Sequence, residues 1–226
     1  MKRRQFTCAV VSTAGLGLFA TRPALALSES DAASGVRAAL ERGAVSAVSL
    51  LGRTDGFLGN PKVRIPLPGY LNDAAKLLKA AGQQHKVDEL VTAMNRAAEA
   101  AVPEAKTLLV SAAKSITVDD ALKIVKGGDT SVTDYFAAKT REPLAVKFLP
   151  IVTKATEKVS LAEHYNAVAG KAMGLGLVRK EDANVQQYVT AKALDGLFLM
   201  IGEEEKKIRA DPVGTGSAIL KKVFGG

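Results

Sequence analysis

The sequence predicts an all-α fold, a single multi-helix bundle crossed by one extended, proline-rich strap at residues 57–68. Three observations predict it. Apolar residues recur at spacings of three and four along most of the chain, Gly and Pro punctuate the resulting segments, and no stretch alternates apolar and polar with the Val, Ile and aromatic content of a strand.

Taken in order, Val36, Leu40, Ala44, Ala47, Val48 and Leu51 line one face of a first helix, which Gly52 ends. The strap follows. A short helix over 71–81 aligns Leu71, Ala74, Leu78 and Ala81, and another over 87–101 turns Leu90, Val91, Met94, Ala97 and Ala98 inward. Pro103 suits a first turn, where its missing N–H is not needed. Thr117-Val-Asp-Asp120 resembles a capping box with an acid in the last place, and the helix it opens stops at Gly127-Gly128. A longer helical region runs from Ser131 to about Val159, and Pro143 and Pro150 should each end or kink it. Further helices are expected over 161–173 and 182–210, with a last turn or two over 217–224.

The opening of the chain is expected to lie outside this fold. Lys2-Arg3-Arg4, an uncharged run from Cys8 to Ala20 and the small-x-small triplet Ala24-Leu25-Ala26 together form a cleavable export signal, with cleavage after Ala26. The mature chain, 27–226, is then one helical domain of a periplasmic protein. Arg3-Arg4-Gln5-Phe6 also resembles a twin-arginine signal, whose cargo crosses the membrane folded, although Lys2 and Thr7-Cys8 depart from that pattern. Both export routes stay open. The apolar run is too short to span a bilayer, which takes roughly 20 residues, and no later stretch is long enough.

Cleavage removes Lys2, Arg3, Arg4 and Arg22 and no acid, so the net charge falls from +8 to +4. An excess that small and that dispersed excludes a nucleic-acid footprint, which needs clustered cations along several phosphates. Cys8, the single cysteine, leaves as well. Thiol nucleophiles, redox pairs and thiolate metal sites leave with it. The chain has no His-x-x-x-His and no Glu-x-x-His pair, so no metal site is expected; Asp119-Asp120 and Glu181-Asp182 sit where helix starts favour acids.

Within the strap Asn60, Ile65 and Leu67 each precede a proline, which pushes them out of helical geometry toward an extended chain. Alternate side chains of an extended chain face opposite ways, so Val63, Ile65 and Leu67 point to one side and Lys62 and Arg64 to the other. Two uses share this geometry. The strap is either a cover whose basic side is solvated, or the rim of a groove in which Lys62 and Arg64 hold an anionic head group and Phe57, Ile65 and Leu67 line a tail pocket.

Four stretches carry a resemblance: Leu27–Gly35, Asp55–Pro68, Asn95–Ala105 and Lys192–Glu205. Together they are similar to the bacterial exported proteins grouped as the domain of unknown function 4197 family, and the similarity covers essentially the mature chain. It implies an exported helical domain and supplies no activity or site residue.

His164 and His85 are the two histidines. His164, in the expected helix 161–173 beside Glu163 and Tyr165, is the one candidate for a general base. His85, in the polar loop Gly82-Gln-Gln-His-Lys86, is expected to be a solvated loop residue. In the last long helix Leu194, Leu197, Phe198 and Ile201 form an apolar stripe widened by Leu199 and Met200. Gly196 and Gly202 interrupt it at roughly 1 kcal/mol each relative to alanine, a cost that close approach of a neighbouring helix or of a ligand would explain. Glu203 to Lys207 is expected to be a solvated run with an i, i+4 ion pair.

Two functions of different class follow. The first is a non-catalytic periplasmic protein that binds an amphipathic, lipid-like ligand or docks on an envelope partner. The alternative is a periplasmic enzyme with His164 as general base, near Glu163 and Tyr165, using a cofactor of unidentified kind loaded before folded export.

Overall fold

The architecture is that of a computed structural model, which describes residues 29–157, 159–176 and 184–211. The expected signal (1–26), the acids Glu181-Asp182 and the last turns at 217–224 lie outside the described residues. Eight α-helices are described: α1 Glu29–Leu51, α2 Asn72–Ala80, α3 Gln84–Ala101, α4 Ala105–Lys114, α5 Val118–Val125, α6 Ser131–Thr156, α7 Ser160–Gly174 and α8 Val185–Ala210. Among the described residues there is no strand, so the all-α expectation holds.

α8 occupies the middle of the bundle, against α1, α3 and α6, with α7 at its N-terminal end. α4 and α5 brace the outer side of α1, and α2 rests chiefly on α3. The six stripe residues of α1, from Val36 to Leu51, are buried in one continuous core with Leu90, Met94 and Ala97 of α3 and Leu194, Leu197 and Ile201 of α8. That core is what amphipathic periodicity dictates.

The caps follow local chemistry. The hydroxyl of Thr117 accepts from the Asp120 N–H at 3.2 Å and donates to the Asp120 carboxylate at 2.7 Å, opening α5 as expected. At the start of α8 the Asn184 side chain accepts from the Gln187 N–H at 2.7 Å. Pro103 falls in a single 3₁₀ turn, Val102–Glu104, that joins α3 to α4. α3 begins earlier than its apolar pattern, so His85 sits in its first turn, exposed, and not in a loop.

Three expectations need correction. Pro143 and Pro150 lie inside α6, which runs unbroken from Ser131 to Thr156. A helical proline strands the carbonyl four residues earlier. Here those carbonyls belong to Lys139 and Val146, and both residues, like the two prolines, are exposed, so water can take over the lost bonds. Leu199, placed in the apolar stripe, is instead 45% exposed. The run 203–207 is not all surface, because Glu205 is only 4% exposed. Its ion pairs also differ: Lys207 reaches Glu204 at 2.6 Å, and Glu203 is taken by Lys62 of the strap.

Candidate ligand site

The strap differs in detail from an extended chain. Residues 57–63 fold into tight turns, with the Asn60 N–H donating to the Phe57 carbonyl at 3.1 Å and the Arg64 N–H to the Asn60 carbonyl at 2.9 Å. Only 64–68 is free of turns. The sidedness is as expected: Val63 and Ile65 are buried and Leu67 half-buried, while Lys62, Arg64 and Pro66 are exposed.

Buried polar side chains of α3 seat it. Asn95, which has no exposed surface, accepts from the Ile65 N–H at 2.8 Å and donates to the Ile65 carbonyl at 2.9 Å and to the Val91 carbonyl at 2.7 Å. A single amide thus gives one strap residue the pairing a neighbouring strand would give. One turn on, the Glu99 carboxylate accepts from the N–H groups of Phe57 and Leu58 at 3.0 and 3.1 Å and from Arg96 at 2.6 Å. Arg96 also donates to Asp55 at 2.8 Å. On the other side Tyr188 of α8 donates its hydroxyl to the Pro66 carbonyl at 3.0 Å.

Gly196 lies where the strap meets α8. A Cβ there would stand 2.8 Å from the Phe57 ring and 3.2 Å from Val63, closer than packed carbons tolerate. The close approach at Gly196 is therefore made by the strap, and not by a neighbouring helix as expected. Gly202 has no such neighbour, since its Cβ would meet Thr133 at an ordinary 3.6 Å.

The candidate strap residues are divided between different surroundings. Phe57 and Ile65 are core. Lys62 and Arg64 border a shallow groove of about 370 Å³ between the strap and α8, opposite Tyr188, Lys192 and Leu199. Lys62 donates to Glu203 at 2.6 Å, and Arg64 is exposed with no ion-pair partner among the described residues. The hydrogen bond from Lys62 holds the Glu203 carboxyl below the usual carboxylate range. A depressed carboxyl stabilises above its ordinary titration range and loses that contribution as the pH falls through its folded value. In Lys62→Ala, NMR titration should find the Glu203 carboxyl titrating at higher pH than in the wild-type chain, with thermal stability nearly unchanged because the pair is exposed. An unmoved titration would mean that the pair does not form in solution.

Leu67 borders this groove and also a second space. A cavity of about 340 Å³ lies between the end of the strap, α2, α3 and α7. Leu71, Leu90 and Tyr165 are its buried walls, and Gln83, Lys86 and His164 are polar groups on more exposed parts of its lining. The structure thus joins one strap candidate, Leu67, to two members of the histidine cluster, His164 and Tyr165. Glu163 is exposed and does not line the cavity. Adjacent residues of a helix point about 100° apart, so it stands off the face of its neighbour. Gln83 and Lys86, also on this cavity, carried no signal in sequence because they fall in the polar stretch that ends the α2–α3 connection and opens α3. Among the described residues no group of three His, Cys, Asp or Glu side chains comes together as a metal site, and no helix is long and apolar enough to cross a membrane.

A family model described as a protein of unknown function, DUF4197, matches residues 26–225. No curated protein and no solved structure matches the chain. Three of the four stretches that carry the resemblance, 55–68, 95–105 and 192–205, converge where the strap lies between α3 and α8.

Proposed function

The chain belongs to the DUF4197 family, whose description assigns no activity, and from its own site we propose that it is an exported, non-catalytic protein that binds an amphipathic, lipid-like ligand. The observation that carries this reading is the cavity between the strap, α2, α3 and α7: apolar walls with a few polar groups toward solvent are the usual composition of a ligand pocket. Its volume of about 340 Å³ is near the lower end of the range of roughly 300–1,000 Å³ for such pockets. It therefore suits one chain or ring of a ligand. Lys86 supplies a cation for an anionic head group, and His164 a hydrogen bond. Lys62 and Arg64 border the neighbouring groove, where a longer head group following the strap would meet them.

The general-base reading of His164 draws less support. Among the described residues, the side chains that line the cavity include no carboxylate to orient the ring and no serine or cysteine to be activated by it. Export rests on the expected signal at residues 1–26; the family match covers residues 26–225.

Native mass spectrometry of the mature protein purified from the periplasm tests the proposal. We expect an added mass that is lost on denaturation and is absent from Ala75→Trp, whose indole would occupy the cavity from α2. Because Ala75 is half-buried on a helix that rests chiefly on α3, the variant should keep the helical content and melting behaviour of the wild-type chain. A wild-type chain of bare mass, or an adduct that Ala75→Trp retains, would overturn this assignment of the pocket.

A further inference from the structure

We propose that the open groove between α6 and α8 is a second binding site, which takes an extended, uncharged apolar peptide segment of a partner and holds one of its residues through both backbone polar groups, at Gln187 and Thr190. The groove encloses about 610 Å³ and is distinct from the cavity beside α2. Its α6 wall is formed by Ala145, Val146 and Leu149, and the last two are 75% and 38% exposed.

What points to a ligand is the α8 wall. Thr190 is only 6% exposed, yet its hydroxyl has no hydrogen-bond partner, and the side-chain carbonyl oxygen of Gln187 is likewise buried and unpaired. Buried polar atoms are nearly always satisfied, because an unmade bond costs stability. A helical threonine has a ready remedy, donation to the carbonyl four residues back. Thr140, Thr153 and Thr156 of α6 all use it, at 2.8, 2.8 and 2.9 Å. Thr190 does not.

Gln187 and Thr190 are i, i+3 neighbours, so their side chains adjoin on one face of α8. Neither atom is open to water as the side chains stand, so the segment must turn both toward the groove, where they offer an acceptor and a donor. A residue of an extended chain presents its N–H and C=O toward the same edge, as it does in an antiparallel pair, and so matches the two. The molecule already uses this mode of holding once, where Asn95 takes both backbone groups of Ile65. The apolar side chains of the segment would lie on Val146 and Leu149. Charge argues for an uncharged occupant: Arg141 at the rim is committed to Asp195 at 2.9 Å and stands over the Phe198 ring, and Glu142 beside it is of opposite sign.

The test uses the mature chain with labelled Val and Leu methyl groups and, as probe, acetyl-Leu-Ala-Leu methylamide. The control is the same peptide N-methylated at its alanine, which removes the donor meant for Gln187. We expect the probe to shift the methyl signals of Val146 and Leu149, the control to bind about tenfold more weakly, and Thr190→Val to lose affinity by about the same factor. Thr190→Val should also melt at a higher temperature than the wild-type chain when no peptide is present, because it removes an unpaired buried hydroxyl. Equal binding of probe and control, wild-type affinity in Thr190→Val, methyl shifts confined to Leu67 and Leu90, or a lower melting temperature for Thr190→Val would each overturn the proposal.

Discussion

Asn95→Leu is expected to lower the stability of the protein by about 3–5 kcal/mol. Leucine is close to asparagine in size, so the cost is not a cavity. It arises because the Ile65 N–H and carbonyl are paired with the Asn95 amide inside the bundle, and each buried backbone group left unpaired costs roughly 1–3 kcal/mol. Against a total stability of about 5–15 kcal/mol for a chain of this kind, the loss is a large fraction. Urea unfolding should show a lower midpoint with little change in slope. Native-state hydrogen exchange should place the damage, with the Ile65 amide protected in the wild-type chain and exchanging through local opening in the variant. The pocket should suffer too, since Leu67, two residues on, forms part of its wall. A loss below about 1 kcal/mol, with Ile65 still protected, would mean that other contacts seat the strap, foremost the Glu99 carboxylate under Phe57 and Leu58.

The helices were legible because their causes are local. The α1 stripe from Val36 to Leu51, the Thr117 cap and the outward turn of Lys62 and Arg64 each follow from residues within a few positions of one another. What was not legible depends on surroundings. Pro143 and Pro150 look like helix breakers until it is known that the residues whose carbonyls they strand, Lys139 and Val146, lie on the exposed side of α6. The strap was recognised, but its seat was not, because Asn95 is 30 positions from Ile65 in sequence. A signal did exist. Asn95 and Glu99 occupy the same helical face as Val91, Met94 and Ala98, and a polar residue on an apolar stripe must find a buried partner. The cavity left no such trace, because α2, α3, α7 and the strap each contribute only one wall. His164 was singled out for its chemistry, and only its place on that cavity distinguishes it from the exposed His85.

The second large effect is expected from Glu205, by the same reasoning applied to a charge. α6 has no side-chain cap of its own: the Thr130 hydroxyl donates to Asp134 at 3.1 Å instead of accepting from the helix. Its first-turn N–H groups, which no intrahelical carbonyl can reach, are met from α8. The Glu205 carboxylate accepts from the Val132 and Thr133 N–H groups at 3.2 and 3.0 Å, from the Thr133 hydroxyl at 2.7 Å and from Arg209 at 3.1 Å. An anion at a helix N-terminus is favoured by the aligned peptide dipoles as well. Glu205→Leu therefore strands donors of two kinds and leaves Arg209 without this carboxylate, for an expected loss of about 3–5 kcal/mol. Glu205→Gln keeps one acceptor oxygen and should lose only about 1–2 kcal/mol. The ratio between the two variants is what separates capping from packing. If Gln and Leu cost the same, the carboxylate serves only to fill space. If Leu costs more and the Val132 and Thr133 amides lose their protection, then α8 fixes the start of α6. The register of those two helices, and with it the groove between them, would depend on one buried acid in a run of three glutamates, whose other two members, Glu203 and Glu204, carry surface ion pairs.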